Sequence, residues 1–153
     1  MRRVHVIIAL AAIFLFGAIG YAVYLSPAPV GRAPVKELQT IQLGGQTARV
    51  TVADTESARQ QGLSGRTGLA ADEGILFVFP EDGEHAFWMK DMLFSIDILW
   101  LSAEGEVVYM AQNISPDTYP QSFRPNVPAR YVLELPAGYA KEYTVSIGDI
   151  VKF

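Results

Sequence analysis

The chain contains no cysteine. This absence excludes disulfide bonds, a thiol nucleophile and a lipidated cysteine, so an exported domain of this sequence must be stabilised by burial alone. Histidine is also scarce: only His5 and His85 occur, too few for a histidine metal cluster, and His5 lies in the basic N-terminal tail. Neither a dinucleotide-binding glycine motif nor a phosphate-binding loop is present. We therefore expect no metal and no cofactor.

Acidic residues and lysine are absent from the segment between Val4 and Leu25, where His5 is the only ionisable residue. At about 1.5 Å per residue this segment spans the roughly 30 Å hydrocarbon core of a bilayer. Arg2 and Arg3 precede it, so the positive-inside rule leaves the N-terminus in the cytoplasm. The apolar run is longer than the about 7–15 residues of a cleavable signal peptide, which favours an uncleaved signal anchor over residues 4–25. We expect a single-pass protein of the inner (plasma) membrane with a periplasmic domain; the alternative is secretion after signal cleavage.

A proline-rich linker at residues 26–36 separates the anchor from one exported domain at residues 37–153. All 16 acidic residues and 10 of the 12 basic residues follow the anchor, so the exported part has a net charge of −6. A nucleic-acid partner would require a basic face, and the sequence therefore argues against one.

The exported part is predicted to be mainly β, a compact antiparallel barrel or sandwich with one short helix and no βαβ units. Alternating apolar residues around Gly44-Gly45 indicate a hairpin, and Thr55 is a suitable N-cap for a helix that carries Arg59 and ends at Gly62. Turn residues, including those at 80–83, separate further strands, expected at 75–79, 85–90, 94–101, 106–112, 130–135, 143–147 and 150–153. The proline-rich segment 113–129 is expected to form a lid or binding loop.

Several separated motifs resemble one known family, the domain of unknown function 192 family. They are Arg59-Gln-Gln-Gly-Leu63, Gly74-Ile-Leu-Phe-Val-Phe79, Phe87-Trp-Met-Lys90, Asp97-Ile-Leu99, Tyr131-Val-Leu-Glu-Leu135 and Ile147-Gly-Asp-Ile-Val151. The resemblance implies a small, mainly β bacterial or archaeal domain, often exported or membrane-tethered, without an established activity or catalytic residue. The chain departs from the family pattern at Ser64, where methionine is usual, and at Asp91-Met92, where Asn-Thr is common.

Polar residues inside apolar strands are the candidates for a site, because an unpaired charge in the interior costs several kcal/mol. Alternation places Trp88 and Lys90 on one strand face, and pairing of strands 85–90 and 94–101 would bring Lys90 close to Asp97. We predict that Arg59, Arg66 and Lys90 bind an anionic or carbonyl-bearing ligand, with Trp88 as an aromatic wall and Asp97 orienting the bases. In the alternative interpretation Asp97 is a structural carboxylate that holds Arg66 or Lys90, and Trp88 belongs to the core.

The function predicted from these residues is binding of an unknown small molecule or protein partner, besides the membrane contact of the anchor. Two alternatives remain. One is a structural accessory of a membrane complex, and the other is a hydrolase acting on an extracytoplasmic substrate such as a glycan. In the latter, Asp97 would work with Glu134 or Asp91 as acid and base. Whether the protein is an enzyme stays open at this point.

Overall fold

The structure is a computed structural model, and it describes residues 38–153. The expected anchor at residues 4–25 and the linker at residues 26–36 lie outside the described residues. Within the described part, the helices are all too short or too polar to cross a membrane.

Six strands form one sheet in the order β1-β2-β3-β8-β5-β6. The bounds are β1 Leu38–Leu43, β2 Gln46–Ala53, β3 Glu73–Gly83, β5 Ile96–Leu101, β6 Val107–Ile114 and β8 Ala129–Pro136. The two edge strands β1 and β6 are not paired with each other. The domain is mainly β as predicted, but the sheet is not closed into a barrel, so the barrel alternative of the prediction is wrong.

The predicted hairpin and the predicted first helix are both confirmed. β1 and β2 pair around Gly44-Gly45, and helix α1 covers Glu56–Gln61. The Thr55 hydroxyl accepts the N–H of Ala58 at 3.2 Å, which satisfies a free donor in the first turn. β2 precedes α1 in the chain and β3 follows it, and these two strands pair in parallel. The chain therefore contains a βαβ unit, contrary to expectation. A parallel pairing depends on which distant strands meet, and local sequence does not specify it.

Each face of the sheet packs against its own hydrophobic cluster. One face buries Leu76, Leu99 and Leu133 against the C-terminal segment. The opposite face buries Phe77, Ile98 and Trp100 together with Leu63 and Met89, which lie outside the sheet. Alternation along β5 and β8 therefore sends neighbouring side chains into two different environments.

The C-terminal segment differs from the prediction. Residues 143–147 are not a strand: a second helix, α2, covers Tyr139–Glu142 and is followed by turns. The expected edge strand at 150–153 is reduced to two isolated bridges, Gln42 with Lys152 and Glu106 with Ile150. The reason lies in contacts distant in sequence, because the Asp97 carboxylate accepts the Ala140 N–H at 2.9 Å in the first turn of α2.

The region between β3 and β5 also pairs differently. β3 continues to Gly83 through the predicted turn at 80–83, with an irregular register opposite β8. The expected strand 85–90 shortens to β4, Phe87–Trp88, which pairs with β7, Ser122–Phe123. The segment 113–129 supplies β7 and a 3₁₀ helix at Pro116–Thr118. Because β5 is paired on both sides by β6 and β8, strand pairing does not bring Lys90 to Asp97.

Candidate functional site

An open cleft of about 650 Å³ lies beside the second hydrophobic cluster. Its size falls within the roughly 300–1,000 Å³ of small-molecule sites. Helix α1 and the turn after it form one wall, and residues around β4 form the other. The lining residues are Glu56, Arg59, Gln60, Gln61, Gly62, Leu63, Ser64, Phe77, Phe79, His85, Ala86, Phe87, Trp88, Lys90, Asp91, Met92 and Glu134.

Glu134 is the buried acidic residue of this cleft. It lies in β8 between its cross-strand partners Ile75 and Ile98, both fully buried. Glu134 is 5% exposed, and its carboxyl forms no salt bridge within residues 38–153. Burial raises the pKa of the Glu134 carboxyl to about 8. The group therefore holds its proton at neutral pH and can donate a hydrogen bond.

His85 is a second titratable group in the cleft. Its ring stacks on Phe79 with a centroid separation of 3.5 Å and an interplanar angle of 8°. Burial lowers the pKa of His85, which keeps the imidazole neutral at pH 7. Its Nε2 atom is buried and has no hydrogen-bond partner within the described residues. A neutral imidazole and a neutral carboxyl thus line the same cleft.

Arg59 connects helix α1 to the sheet. Its Nη1 atom donates to the carbonyl oxygens of Asp54 at 2.7 Å and Val78 at 2.8 Å, and its Nη2 donates to Glu56 at 3.2 Å. The guanidinium also lies 5.4 Å from the ring centre of Phe79. With these donors in use, Arg59 acts mainly as a structural clamp at the edge of the cleft.

Lys90 and Asp91 lie in the turn after β4 and face the turn after α1. The Ser64 hydroxyl donates to the Lys90 carbonyl oxygen at 3.1 Å, and the Gly65 N–H donates to the Asp91 carbonyl oxygen at 2.9 Å. Asp91 has a φ of 56°, a left-handed conformation that asparagine and aspartate tolerate better than most residues. The Lys90 side chain is exposed and has no salt bridge within residues 38–153.

Trp88 forms the aromatic part of the cleft opening. It is 54% exposed, and its ring lies 5.9 Å from that of Tyr119, which is itself 47% exposed. The ladder between β4 and β7 fixes the backbone, with Trp88 opposite Ser122. The segment 113–129 thus contacts one cleft residue, Trp88, through Tyr119.

Two of the five predicted site residues, Arg66 and Asp97, do not line this cleft. Arg66 is half-buried and forms no salt bridge with any described residue. Asp97 is fully buried on the other face of the sheet, where its carboxylate accepts three backbone N–H groups: Asn113 at 2.7 Å, Gly138 at 3.1 Å and Ala140 at 2.9 Å. Its partners are backbone donors, not Arg66 or Lys90. The structure brings together Arg59, Trp88 and Lys90.

Sequence reasoning gave Glu134 too small a role, considering it only as a partner of Asp97. The two residues lie on adjacent strands, with Asp97 opposite Leu135 and Glu134 opposite Ile98. They therefore point to opposite faces of the sheet and cannot act on one substrate together. The sequence feature that indicates a special role for Glu134 is its position as the single acidic residue among the apolar residues of β8. Residues 38–153 contain no cluster of three acidic or histidine side chains arranged for a metal ion.

The solved structures that resemble this one include the following two. A candidate transcription regulator from Sinorhizobium meliloti 1021 is 32% identical, with a TM-score of 0.72 over 76% of this chain and 94% of that chain. A protein of unknown function from Novosphingobium aromaticivorans DSM 12444 is 25% identical, with a TM-score of 0.74 over 84% of this chain and 94% of that chain. No curated protein matches. The sequence model of the domain of unknown function 192, described as "uncharacterized ACR", matches residues 39–153. The chain therefore belongs to the domain of unknown function 192 family.

Proposed function

We propose that this protein is an exported, membrane-tethered module that binds a small molecule in the cleft beside β4. The neutral carboxyl of Glu134 carries the proposal. It is buried at the cleft without a salt-bridge partner in the described part of the chain. Desolvation of a polar group is costly unless the group finds a hydrogen-bond partner. A ligand acceptor in the cleft that takes the hydrogen bond of Glu134 would offset that cost.

The remaining lining supports the same function. Small-molecule sites combine apolar and aromatic walls with a few polar groups that orient the ligand. Phe77, Phe87 and Trp88 supply such walls, and the exposed Lys90 supplies a polar group at the opening. The anchor remains part of the proposal on sequence grounds, since residues 4–25 match the length and flanking charge of a membrane helix.

The proposal includes no nucleic-acid partner, although the relative from Sinorhizobium meliloti is described as a candidate transcription regulator. Residues 38–153 contain eight basic and fifteen acidic residues, a net charge of −7. DNA binding depends on neutralising phosphates with clustered lysine and arginine. The charge of this domain opposes such contacts.

Thermal unfolding with a panel of glycans, nucleotides, organic acids and divalent metals tests the proposal. A ligand at 100 times its Kd adds about 2.7 kcal/mol to stability, which a melting curve resolves. The shift should shrink in Lys90→Ala, at the cleft opening, and persist in Lys141→Ala, which removes an exposed lysine away from the cleft. Equal shifts in the two variants, or none with any compound, would count against a ligand site here.

A hydrolase is the second candidate function, and the differing environments of two carboxyl groups in the cleft favour it. Glu134 is buried and protonated, whereas Asp91 is exposed. Carboxyls in contrasting environments are the usual acid and base of glycoside hydrolysis. Glu134 would protonate the leaving oxygen while Asp91 takes a proton from the attacking water, so that water adds across the broken C–O bond. Release of reducing ends that stops in Asp91→Ala, while binding persists, would establish this activity; binding without turnover in the unmodified protein would leave the binding module.

A further inference from the structure

Trp88 offers a ligand a flat aromatic surface at the cleft opening. Large aromatic side chains are usually well buried, and this one is 54% exposed although backbone pairing fixes its position. Tyr119 lies against it at 5.9 Å and 64°, so that the two rings form one exposed aromatic corner. Such a surface packs well against a flat ligand whose faces are apolar C–H groups and whose edges are polar.

The charges of the cleft favour a neutral ligand. Two acidic residues, Glu56 and Asp91, are balanced by Arg59 and Lys90. The Arg59 guanidinium already donates to two carbonyl oxygens and to Glu56. A ligand with a full charge of either sign would meet an opposing group at close range. Ligand hydroxyl groups, by contrast, can donate to the carboxylates and accept from Lys90.

Glu134 adds a more specific requirement. Its largely buried carboxyl can donate one hydrogen bond into the cleft, so a ligand with an acceptor at that position is favoured. The apolar residues Leu63, Phe77, Phe87 and Met92 also line the cleft. An acetamido group satisfies both features, because its carbonyl oxygen accepts a hydrogen bond while its methyl group packs against apolar side chains.

We propose that the cleft binds a neutral glycan carrying acetamido groups, with one sugar ring on Trp88 and one acetamido group at Glu134. This inference rests on the ligand-binding function proposed above and specifies its ligand class. A pyranose ring has apolar faces and hydroxyl edges, which suits the aromatic corner and the balanced charges. The acetamido substituent distinguishes the preferred sugar from a plain glucose polymer.

Titration calorimetry on the full chain, in a detergent without a sugar head group, tests the inference with two probes. One is the β-1,4-linked tetramer of N-acetylglucosamine; the other is cellotetraose, which has the same linkage without acetamido groups. We expect the acetylated tetramer to bind at least 10-fold more tightly. Glu134→Leu should abolish this preference, whereas Glu134→Gln, which keeps an N–H donor, should retain most of it.

The aromatic contact is tested with a matched pair of variants. Trp88→Ala should weaken binding of the acetylated tetramer at least 10-fold, and Trp88→Phe should weaken it less. Phe153→Ala is the control, because Phe153 is 47% exposed and contacts Tyr131 but does not line the cleft. Its affinity should equal that of the unmodified protein. The melting temperature of each variant confirms that it is folded.

The outcomes separate this inference from the proposed function. Equal affinity for the two tetramers, or an unchanged affinity in Trp88→Ala, overturns the acetamido-glycan inference. If neither tetramer binds and an organic acid or nucleotide gives a Lys90-dependent shift, the inference fails and the binding function stands. If no compound of any class binds, both fail.

Discussion

Two buried carboxyl groups lie on adjacent strands of the same sheet, and their surroundings differ in kind. Asp97 in β5 accepts three backbone N–H groups at 2.7–3.1 Å and connects β6 to the start of α2. Glu134 in β8 faces the other side of the sheet, between Ile75 and Ile98, at the edge of an open cleft. Its carboxyl has no salt bridge within the described residues.

The comparison shows that burial of a carboxyl does not by itself indicate a functional site. A carboxylate surrounded by donors stabilises the fold, as Asp97 does. A carboxyl kept neutral by apolar neighbours beside an open cleft is available to donate a hydrogen bond to a bound molecule. We therefore expect changes at Asp97 to affect stability, and changes at Glu134 to affect pH dependence and ligand binding.

The largest effect is expected for Asp97→Ala. The substitution leaves three N–H groups without an acceptor, and each costs about 1–3 kcal/mol, so the free energy of unfolding should fall by roughly 3–9 kcal/mol. That is a large share of the about 5–15 kcal/mol of a typical domain. Urea unfolding measures it, with Asp117→Ala, an exposed aspartate, as the control that should stay near the unmodified value. If the free energy of unfolding falls by less than about 1 kcal/mol, Asp97 does not have the structural role that distinguishes it here from Glu134.

The next effect concerns Glu134→Gln and pH. Because the pKa of Glu134 is raised to about 8, the folded state keeps a proton that the unfolded state has lost. Stability should therefore fall as pH rises from about 4.5 to about 8, by up to roughly 5 kcal/mol at 1.36 kcal/mol per pH unit. Glutamine carries no titrating proton, so the variant should lose this dependence and be the more stable protein at pH 9.

Urea midpoints at pH 5, 7 and 9 measure that difference. Glu142→Gln, at an exposed glutamate of α2, is the matched control and should follow the unmodified protein at every pH. If Glu134→Gln shows the same slope with pH as the control, Glu134 is ionised in the folded state, and the two carboxyls are more alike than their surroundings indicate.

Local features of the fold were predictable from sequence. The Gly44-Gly45 hairpin and the helix starting after Thr55 depend on turn and cap residues that act within a few positions. Trp88 and Lys90 both line the cleft, but so does Phe87, and Lys90 lies in a turn after β4, so strand alternation does not account for the arrangement. The open sheet was not predictable, because it depends on the parallel pairing of β2 with β3 across α1.

The roles of the two carboxyls depended equally on contacts distant in sequence. Asp97 and Glu134 look alike in the sequence, each a lone acidic residue in an apolar strand. The donors that satisfy Asp97 come from positions 113, 138 and 140, up to 43 residues away. Strand periodicity predicts the sheet face to which a side chain points, but not which residues pack on that face. Sequence alone therefore could not distinguish a structural carboxylate from a carboxyl that lines a cleft.

A third prediction concerns Arg59, which lines the cleft but resembles Asp97 in its bonding. Arg59→Ala removes hydrogen bonds to two carbonyl oxygens and to Glu56, which should cost about 2–3 kcal/mol in urea unfolding. Arg59→Lys should recover only part of that, because a lysine cannot reproduce the guanidinium fork. Arg66→Ala is the control and should have little effect. If Arg59→Ala keeps the free energy of unfolding of the unmodified protein but loses ligand affinity, Arg59 is a ligand contact like Glu134.

The smallest expected effect is at His85, which shares the cleft with Glu134 but titrates in the opposite sense. Burial lowers its pKa below the ordinary 6.5, so the folded state holds fewer protons than the unfolded state as the pH falls through that value. The contribution of His85 to stability should therefore decrease below about pH 6.5, opposite in sign to the contribution of Glu134. His85→Phe keeps an aromatic ring against Phe79 and should remove this acid-side loss, while Glu134→Gln should leave it intact. Urea midpoints between pH 7 and 5 separate the two, and an unchanged acid-side slope in His85→Phe would assign that slope to other groups.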